Sequence, residues 1–310
     1  MSDRIKIGII GCGYLGKIHA KCIKEIDNLE LLGVYDMSQQ NTQEMAKLFS
    51  TNPYYDLQTL IDNCDLVDVV AATIAHYELA RQVIVSGKHC FIEKPLTATV
   101  DEAEKLIKLA EKYNVVVQIG HVERYNPAFI GALPHIFHPF FIEAQRLCKF
   151  SQRGSDVSVV HDLMIHDIDL VLSILKSEII DIQATGYKFV TESIDYADVK
   201  ILFANDSMAH LTASRVSSNT LRKMCIFQPQ NCIYVNFQEK QAEIIEFEKS
   251  NAVISKIPVI EYNAIIEELT DFIQTVQKKS SPKITLKDGY NALCVADKIV
   301  TNIFNKMYYK

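Results

Sequence analysis

The sequence has no excess of positive charge: 32 lysines and arginines face 38 aspartates and glutamates, for a formal net charge of −6. That balance offers nothing to track a phosphate backbone and excludes nucleic acid as a partner, while leaving room for a local pocket that takes one small anion. The 8 cysteines form no C-x-x-C pair and no Cys/His cluster at zinc spacing. Metal binding and a disulfide framework are therefore not expected, and the thiols read as buried groups of a reducing compartment. No apolar run approaches the length that spans a bilayer, and the charged start, Met1 to Lys6, runs into a strand without a signal segment or cleavage site. A cytoplasmic location without a membrane partner is the expectation. Internal repeats and low-complexity segments are missing too.

What is present is a chain of 310 residues, 48% hydrophobic and 23% charged, enough for one large or two ordinary domains. Short β-branched runs at 5–10, 29–35, 66–71, 89–92 and 115–119, with a short one near Tyr54, alternate with helical patterns, as βαβ units on a parallel sheet do. Thr99 and Glu102 have capping-box spacing before the stripe Ala103, Leu106, Ile107 and Ala110, and Asn114 stands past its end.

After Glu123 the pattern lengthens to alternating stretches at 141–150, 179–189, 199–203, 208–216, 224–227, 232–237 and 243–247, separated by turn residues. These predict a mainly antiparallel sheet, with helices at 158–175, 262–277 and 288–307. The expected division is a domain of residues 1–122 and an α+β domain of residues 123–310 whose last helix packs back on the first.

Gly11-Cys12-Gly13-Tyr14-Leu15-Gly16 follows the first strand and opens a helix. In that context G-x-G-x-x-G is a dinucleotide fingerprint: Gly11 makes the tight turn, Gly13 lets backbone approach a pyrophosphate, and Gly16 lets helix and strand pack closely. Tyr14 and Leu15 supply the first backbone N–H groups of the helix, which face the diphosphate. Asp36 ends the second strand, where a carboxylate accepts hydrogen bonds from ribose hydroxyls and repels a 2′-phosphate. No Arg or Lys lies between Met37 and Glu44 to welcome that phosphate. The fold class is thus α/β with an N-terminal Rossmann sheet, and the cofactor is NAD.

Two further patterns carry chemistry. Lys94, fixed by Pro95 at the carboxyl end of a strand, lies where α/β sheets bind ligands. A nicotinamide cation and partial desolvation both favour its neutral amine, the form that accepts a proton. Asp162 and His166, four apart on a helix, share one face, and imidazole titrates near neutrality. His166 is the leading acid/base, Lys94 the polarising partner or alternative base, and Asp162 a substrate binder or orienter. His121 and His161 are weaker candidates, and Asp169 equally caps or pairs within the fold.

Phe91-Ile92-Glu93-Lys94-Pro95-Leu96 resembles the E-K-P segment of the Gfo/Idh/MocA oxidoreductases. Ala72-Thr73-Ile74-Ala75-His76-Tyr77-Glu78, Gly120-His121-Val122-Glu123-Arg124-Tyr125-Asn126-Pro127 and Asp162-Leu163-Met164-Ile165-His166-Asp167-Ile168-Asp169 resemble three more of the family's runs, in the family's order. The resemblance covers essentially the whole chain. It implies that the second domain carries an open-faced sheet, which presents the substrate site and pairs in a homodimer or homotetramer. It implies that Lys94 contacts the substrate hydroxyl and nicotinamide ribose, that Glu93 orients Lys94, that Thr73 and His76 line the cofactor crevice, and that Arg124 and Asn126 lie near nicotinamide and substrate. Against these roles stand a salt bridge for Arg124, a turn cap for Asn126 and a helix start for His76.

Ala72 replaces the usual proline and Met164 the usual glycine, with the expectation that Met164 reshapes the substrate pocket. The run 153–160 with the Asp162 motif looks most like the UDP-N-acetylglucosamine 3-dehydrogenase branch, which implies a nucleotide-sugar substrate and a step toward a 3-amino lipid A precursor. Arg146, Arg153, Arg215 and Arg222 are available for its diphosphate. A free polyol or aldose such as an inositol, or a dinucleotide-binding regulator, is the alternative.

Overall fold

A computed structural model describes residues 4–151, 154, 157–248 and 251–308. The chain divides into two compact units, one of Met1–Val122 with Asn263–Tyr290 and the other of Glu123–Tyr262 with Asn291–Lys310.

The first unit is built on β1 (Ile5–Ile10), α1 (Tyr14–Lys24), β2 (Leu29–Tyr35), α2 (Gln39–Phe49), β3 (Asn52–Pro53), α3 (Leu57–Asn63), β4 (Leu66–Val69), α4 (Thr73–Val85), β5 (His89–Glu93), α5 (Val100–Tyr113) and β6 (Val117–Gly120). Its strands pair in parallel in the order β3-β2-β1-β4-β5-β6, the arrangement of dinucleotide-binding sheets. Strands buried on both faces read as near-continuous apolar runs, and β4, buried at every position, is apolar except for Asp68. The Thr99 capping box forms, and Asn114 closes α5 in the left-handed conformation.

The second unit contains α6 (Pro127–Ala132), β7 (Phe141–Leu147), a π-helical turn Val160–Met164, α7 (Ile165–Leu175), β8 (Ile179–Tyr187), β9 (Tyr196–Phe203), β10 (Met208–Ser214), β11 (Leu221–Gln228), β12 (Asn231–Asn236), β13 (Gln241–Glu248) and β14 (Asn251–Ile257). Eight strands run in the order β14-β13-β12-β11-β7-β10-β9-β8. All pairs are antiparallel except β7 with β10. Ile142, Ala144, Val199, Ile201, Leu211, Ile226 and Ile233 alternate onto the covered face and join Ile165, Ile168 and Val171 of α7 in one core. Glu143, Gln145, Lys200 and His210 alternate onto the open face.

The structure departs from the sequence expectation in three places. β14 gives no alternating signal because six of its seven residues are exposed. The helix expected over 158–175 starts as the π-helical turn. The third departure lies in the two helices that complete the chain, α8 (Ala264–Lys278) and α9 (Leu286–Tyr308). Here α8, not the last helix, belongs with the first unit, where Leu269, Phe272 and Ile273 pack against Ile23, Leu31 and Phe91, while α9 from Asn291 onward belongs with the second unit and joins its core through Val295, Ala296 and Ile299.

Candidate active site

The glycine turn has the shape that the fingerprint demands. Gly11 has φ +112°, and a Cβ there would stand 2.6 Å from the Val70 carbonyl oxygen. A Cβ on Gly16 would collide with the Gly11 carbonyl oxygen, whereas one on Gly13 meets nothing within 4 Å. Gly13 is also the N-cap of α1 and offers no side chain, so no capping side chain takes up the first N–H groups of that helix. Tyr14 is 65% exposed on the first turn and Leu15 is half-buried. This open helix start is a cradle for an anionic diphosphate.

Asp36 directly follows β2 with its carboxylate turned to the same turn: Oδ2 accepts the Cys12 N–H at 2.8 Å and Oδ1 the Ser38 N–H at 2.8 Å. A carboxylate has about four acceptor positions, so capacity for ribose hydroxyls remains. Burial and the Asp36 charge push the Cys12 thiol up to about 12, which makes it a packing group rather than a nucleophile.

Across β5 the E-K-P turn is held from several sides. Glu93 is buried, its Oε2 accepts the Lys94 backbone N–H at 3.0 Å, and Gly120 leaves the space its carboxylate fills. Lys94 itself is half-buried between Glu93 and Pro95, which are buried, and the Lys94–Pro95 peptide is cis. His76 lies 1% exposed on the first turn of α4, its ring nitrogens 2.9 Å from the Pro95 carbonyl oxygen and 3.0 Å from that of Ala71. Burial disfavours its charged form, so His76 ties α4 to the turn as a neutral ring. Thr73 opens α4, after the uncapped Ala72.

In the second unit Asp162 sits on the π-helical turn and His166 on the first turn of α7. Both are half-buried, while Met164, Ile165, Asp167 and Ile168 between and beside them are buried. Gly154, with φ +69°, packs against the Asp162 carboxylate, which a Cβ would approach to 2.5 Å. Sequence spacing alone did not single out that glycine. Met164 is fully buried in the apolar core, so its bulk fills the interior instead of reshaping a pocket. His161 is disfavoured as a charged group by burial.

Arg124 grips Asp169 with two bonds, Nε to Oδ2 at 2.7 Å and Nη2 to Oδ1 at 2.6 Å. Asn126 caps α6 through the Ala128 N–H and donates to Glu123 Oε2 at 3.0 Å and to the Phe237 carbonyl at 3.1 Å. Arg146, 3% exposed, is forked onto Asp167 at 3.1 and 2.8 Å and bonded to Glu123 at 2.8 Å. It is committed to the interior and removed from the arginines expected for a diphosphate. Arg215 is buried and donates to the Val157 carbonyl, and Arg222 is exposed. Arg153 lies outside the described residues.

A model of the oxidoreductase family with NAD-binding Rossmann fold matches residues 5–121, and the GFO/IDH/MocA C-terminal domain matches residues 138–233. The chain belongs to the Gfo/Idh/MocA family. This Gfo/Idh/MocA oxidoreductase is 32% identical over 281 residues to the UDP-N-acetylglucosamine 3-dehydrogenase of Acidithiobacillus ferrooxidans, covering 88% of each chain. A solved structure of that enzyme matches with a TM-score of 0.91 over 97% of this chain and 98% of the other, at 30% identity. Myo-inositol 2-dehydrogenase of Thermotoga maritima is 25% identical over 312 residues, covering 93% of each. A levoglucosan dehydrogenase solved with NADH and levoglucosan shares the fold, with a TM-score of 0.89 at 18% identity over 97% of this chain and 98% of that one.

The Gfo/Idh/MocA chain uses NAD, and the glycine turn and Asp36 are the residues that fit it. Among the described residues no helix is long and apolar enough to cross a membrane, and no group of His, Cys, Asp and Glu could hold a metal ion.

Proposed function

We propose that the protein is an NAD-dependent dehydrogenase of a sugar secondary hydroxyl, with UDP-N-acetylglucosamine as substrate and C3 as the oxidised carbon. The observation that carries this reading is the near full-length likeness to an enzyme of that name in a chain that keeps Lys94, Asp162 and His166. A regulator needs only the dinucleotide site and has no use for these three groups.

NAD, when bound, supplies the hydride acceptor. The residues of the chain do the rest: the N-terminus of α1 holds the diphosphate, Tyr14 and Leu15 provide its first N–H groups, and Asp36 takes the ribose hydroxyls. Thr73, His76 and Glu93 shape the crevice around the nicotinamide. His166 accepts the hydroxyl proton as hydride leaves the carbon, Lys94 polarises the oxygen, and Asp162 orients the sugar. Arg124 and Asn126 support the substrate site through the bonds already made to Asp169 and Glu123, and Arg153 contributes to the diphosphate. The 3-keto sugar then serves amination on the way to a 3-amino lipid A precursor, in the cytoplasm. The open sheet face, where Phe141 and Phe227 stack at 5.4 Å and Tyr234 is 41% exposed, pairs copies into a homodimer or homotetramer.

Mixing enzyme, NAD and UDP-N-acetylglucosamine and following NADH absorbance tests the substrate. Turnover of free inositol or glucose without turnover of the nucleotide sugar rejects it, and tight NAD binding without any turnover favours a regulator. Asp36→Ala is expected to weaken NAD binding about tenfold and to reduce discrimination against NADP, since one charge-assisted pair is lost and the repulsion of a 2′-phosphate with it. Titrations of both nucleotides check this, and unchanged selectivity contradicts the role given to Asp36.

A further inference from the structure

In the first unit an imidazole lies between two carboxylates in a site closed to solvent. His19 projects from α1, Asp68 from β4 and Glu93 from the end of β5, with exposures of 0%, 0% and 7%. His19 Nδ1 is 2.8 Å from Asp68 Oδ2, and its Nε2 is 3.3 Å from Glu93 Oε1. The second Glu93 oxygen accepts the Lys94 N–H. Three segments of chain are thereby linked: the helix that follows the glycine turn, a central strand, and the turn that carries Lys94.

A neutral imidazole has one N–H and would turn a lone pair toward one of the two carboxylates. The imidazolium donates to Asp68 through Nδ1 and sets Nε2 against Glu93 as an ion pair at 3.3 Å, outside hydrogen-bond geometry. Burial opposes that charge, but the charge and hydrogen bond of Asp68, joined by the neighbouring Glu93 carboxylate, outweigh it and hold His19 protonated well above the ordinary histidine range. Glu93 is held below the usual carboxylate range although burial works against it, through the ion-pair contact with His19 and then through the charge of Lys94.

The other ionisable groups around the cluster are neutral. Burial pushes the Cys22 thiol on α1 and the Cys90 thiol on β5 up, the latter with help from Asp68. His76 on α4 is kept uncharged by burial. Burial pushes the Asp68 carboxyl up, while the charge and hydrogen bond of His19 pull it back; with both carboxylates ionised, the cluster carries one net negative charge beside Lys94. Stability does not account for such an arrangement, because a buried ion triad gains little over packed apolar groups. Moreover, Asp68 Oδ1 and His19 Nε2 are both buried without a hydrogen-bond partner, a cost that apolar residues avoid.

We propose that His19 is a positioning residue for Lys94: as an imidazolium bridging Asp68 and Glu93 it locks the carboxylate that receives the Lys94 N–H and sets the net charge that the lysine side chain meets. This rests on the role given to Lys94 above. The consequence is electrostatic and has a sign. His19→Gln removes a positive charge and favours the ammonium form of Lys94, whereas Asp68→Asn removes a negative charge and favours the amine.

The test is the pH profile of kcat/KM for NAD-dependent oxidation of UDP-N-acetylglucosamine, with NADH affinity measured in parallel. The limb belonging to Lys94 is identified as the one missing from the residual activity of Lys94→Met. That limb is expected to move alkaline by about one unit in His19→Gln and in the acid direction by about half a unit in Asp68→Asn, the scale of one neighbouring charge. NADH affinity should be unchanged in both variants. The double variant, which restores the net charge, should bring the limb back toward wild type. A limb that stays in place, or moves the same way in both single variants, overturns the proposal. If His19→Gln does not fold, Asp68→Asn decides alone: an acid shift supports the proposal and no shift overturns it. A Lys94→Met profile with every wild-type limb rejects the role of Lys94 and the proposal with it, and is distinguishable from a failure of His19.

Discussion

Lys94→Ala and His166→Ala are each expected to lower turnover by about 10²–10⁴-fold while leaving NAD affinity nearly intact, the scale of a positioned proton-transfer group. Neither side chain is part of the diphosphate cradle or the ribose acceptor, which are built from the glycine turn and Asp36. A loss in kcat and kcat/KM together, with dinucleotide titrations unchanged, would show that the missing interaction is made in the transition state. Wild-type turnover in either variant would assign the role elsewhere. A rise in KM alone would demote the residue to substrate binding.

Arg146→Ala should have the largest effect on stability. The guanidinium is 3% exposed, forked onto Asp167, bonded to Glu123 and 5.8 Å from the Phe237 ring centroid. Removing it leaves two carboxylates buried without their counter-charge, for a loss of about 3–5 kcal/mol. Burial already pushes the Asp167 carboxyl up, and Arg146 pulls it back. Without Arg146 that restraint disappears, so the folded state keeps a proton that the unfolded chain gives up at about pH 4. A group whose folded value is raised contributes stability at low pH and loses it as pH rises, so the deficit should widen from about pH 4 toward neutrality. Urea unfolding midpoints across that range check it. A deficit that shrinks with rising pH would contradict the ionised pairing.

The elements that could be read in advance were those whose burial follows a period. β1 and β2 are found at the bounds that their apolar runs set, and α5 between its capping box and Asn114. β14 was invisible because its edge position leaves it nearly all exposed, so no face had to be apolar. The cofactor turn was legible for a local reason: the positive φ of Gly11 and the contact of Gly16 with the Gly11 carbonyl oxygen lie within one turn of chain, and such needs appear as glycine at fixed spacing. His19 and Asp68 did leave marks, a histidine on the apolar stripe of α1 and an acid inside the run Leu66-Val67-Asp68-Val69. Each mark is ambiguous alone, because the partner that gives it meaning lies 49 residues away.

Arg146 shows the same limit in reverse. Its residue type invited a diphosphate, and only the fold shows that Asp167 and Glu123 already occupy its donors. The sequence by itself determined the parallel sheet, the dinucleotide turn, the acid at the end of β2 and the family, because these depend on neighbours in the chain or on repeated spacing. The tertiary structure alone decided which charged groups are spent on one another, which pair is locked beneath Lys94, and that α8 joins the first unit. The physical reason is that burial and ion pairing depend on distance in space, and residues far apart in the chain acquire it only when the sheet brings them together.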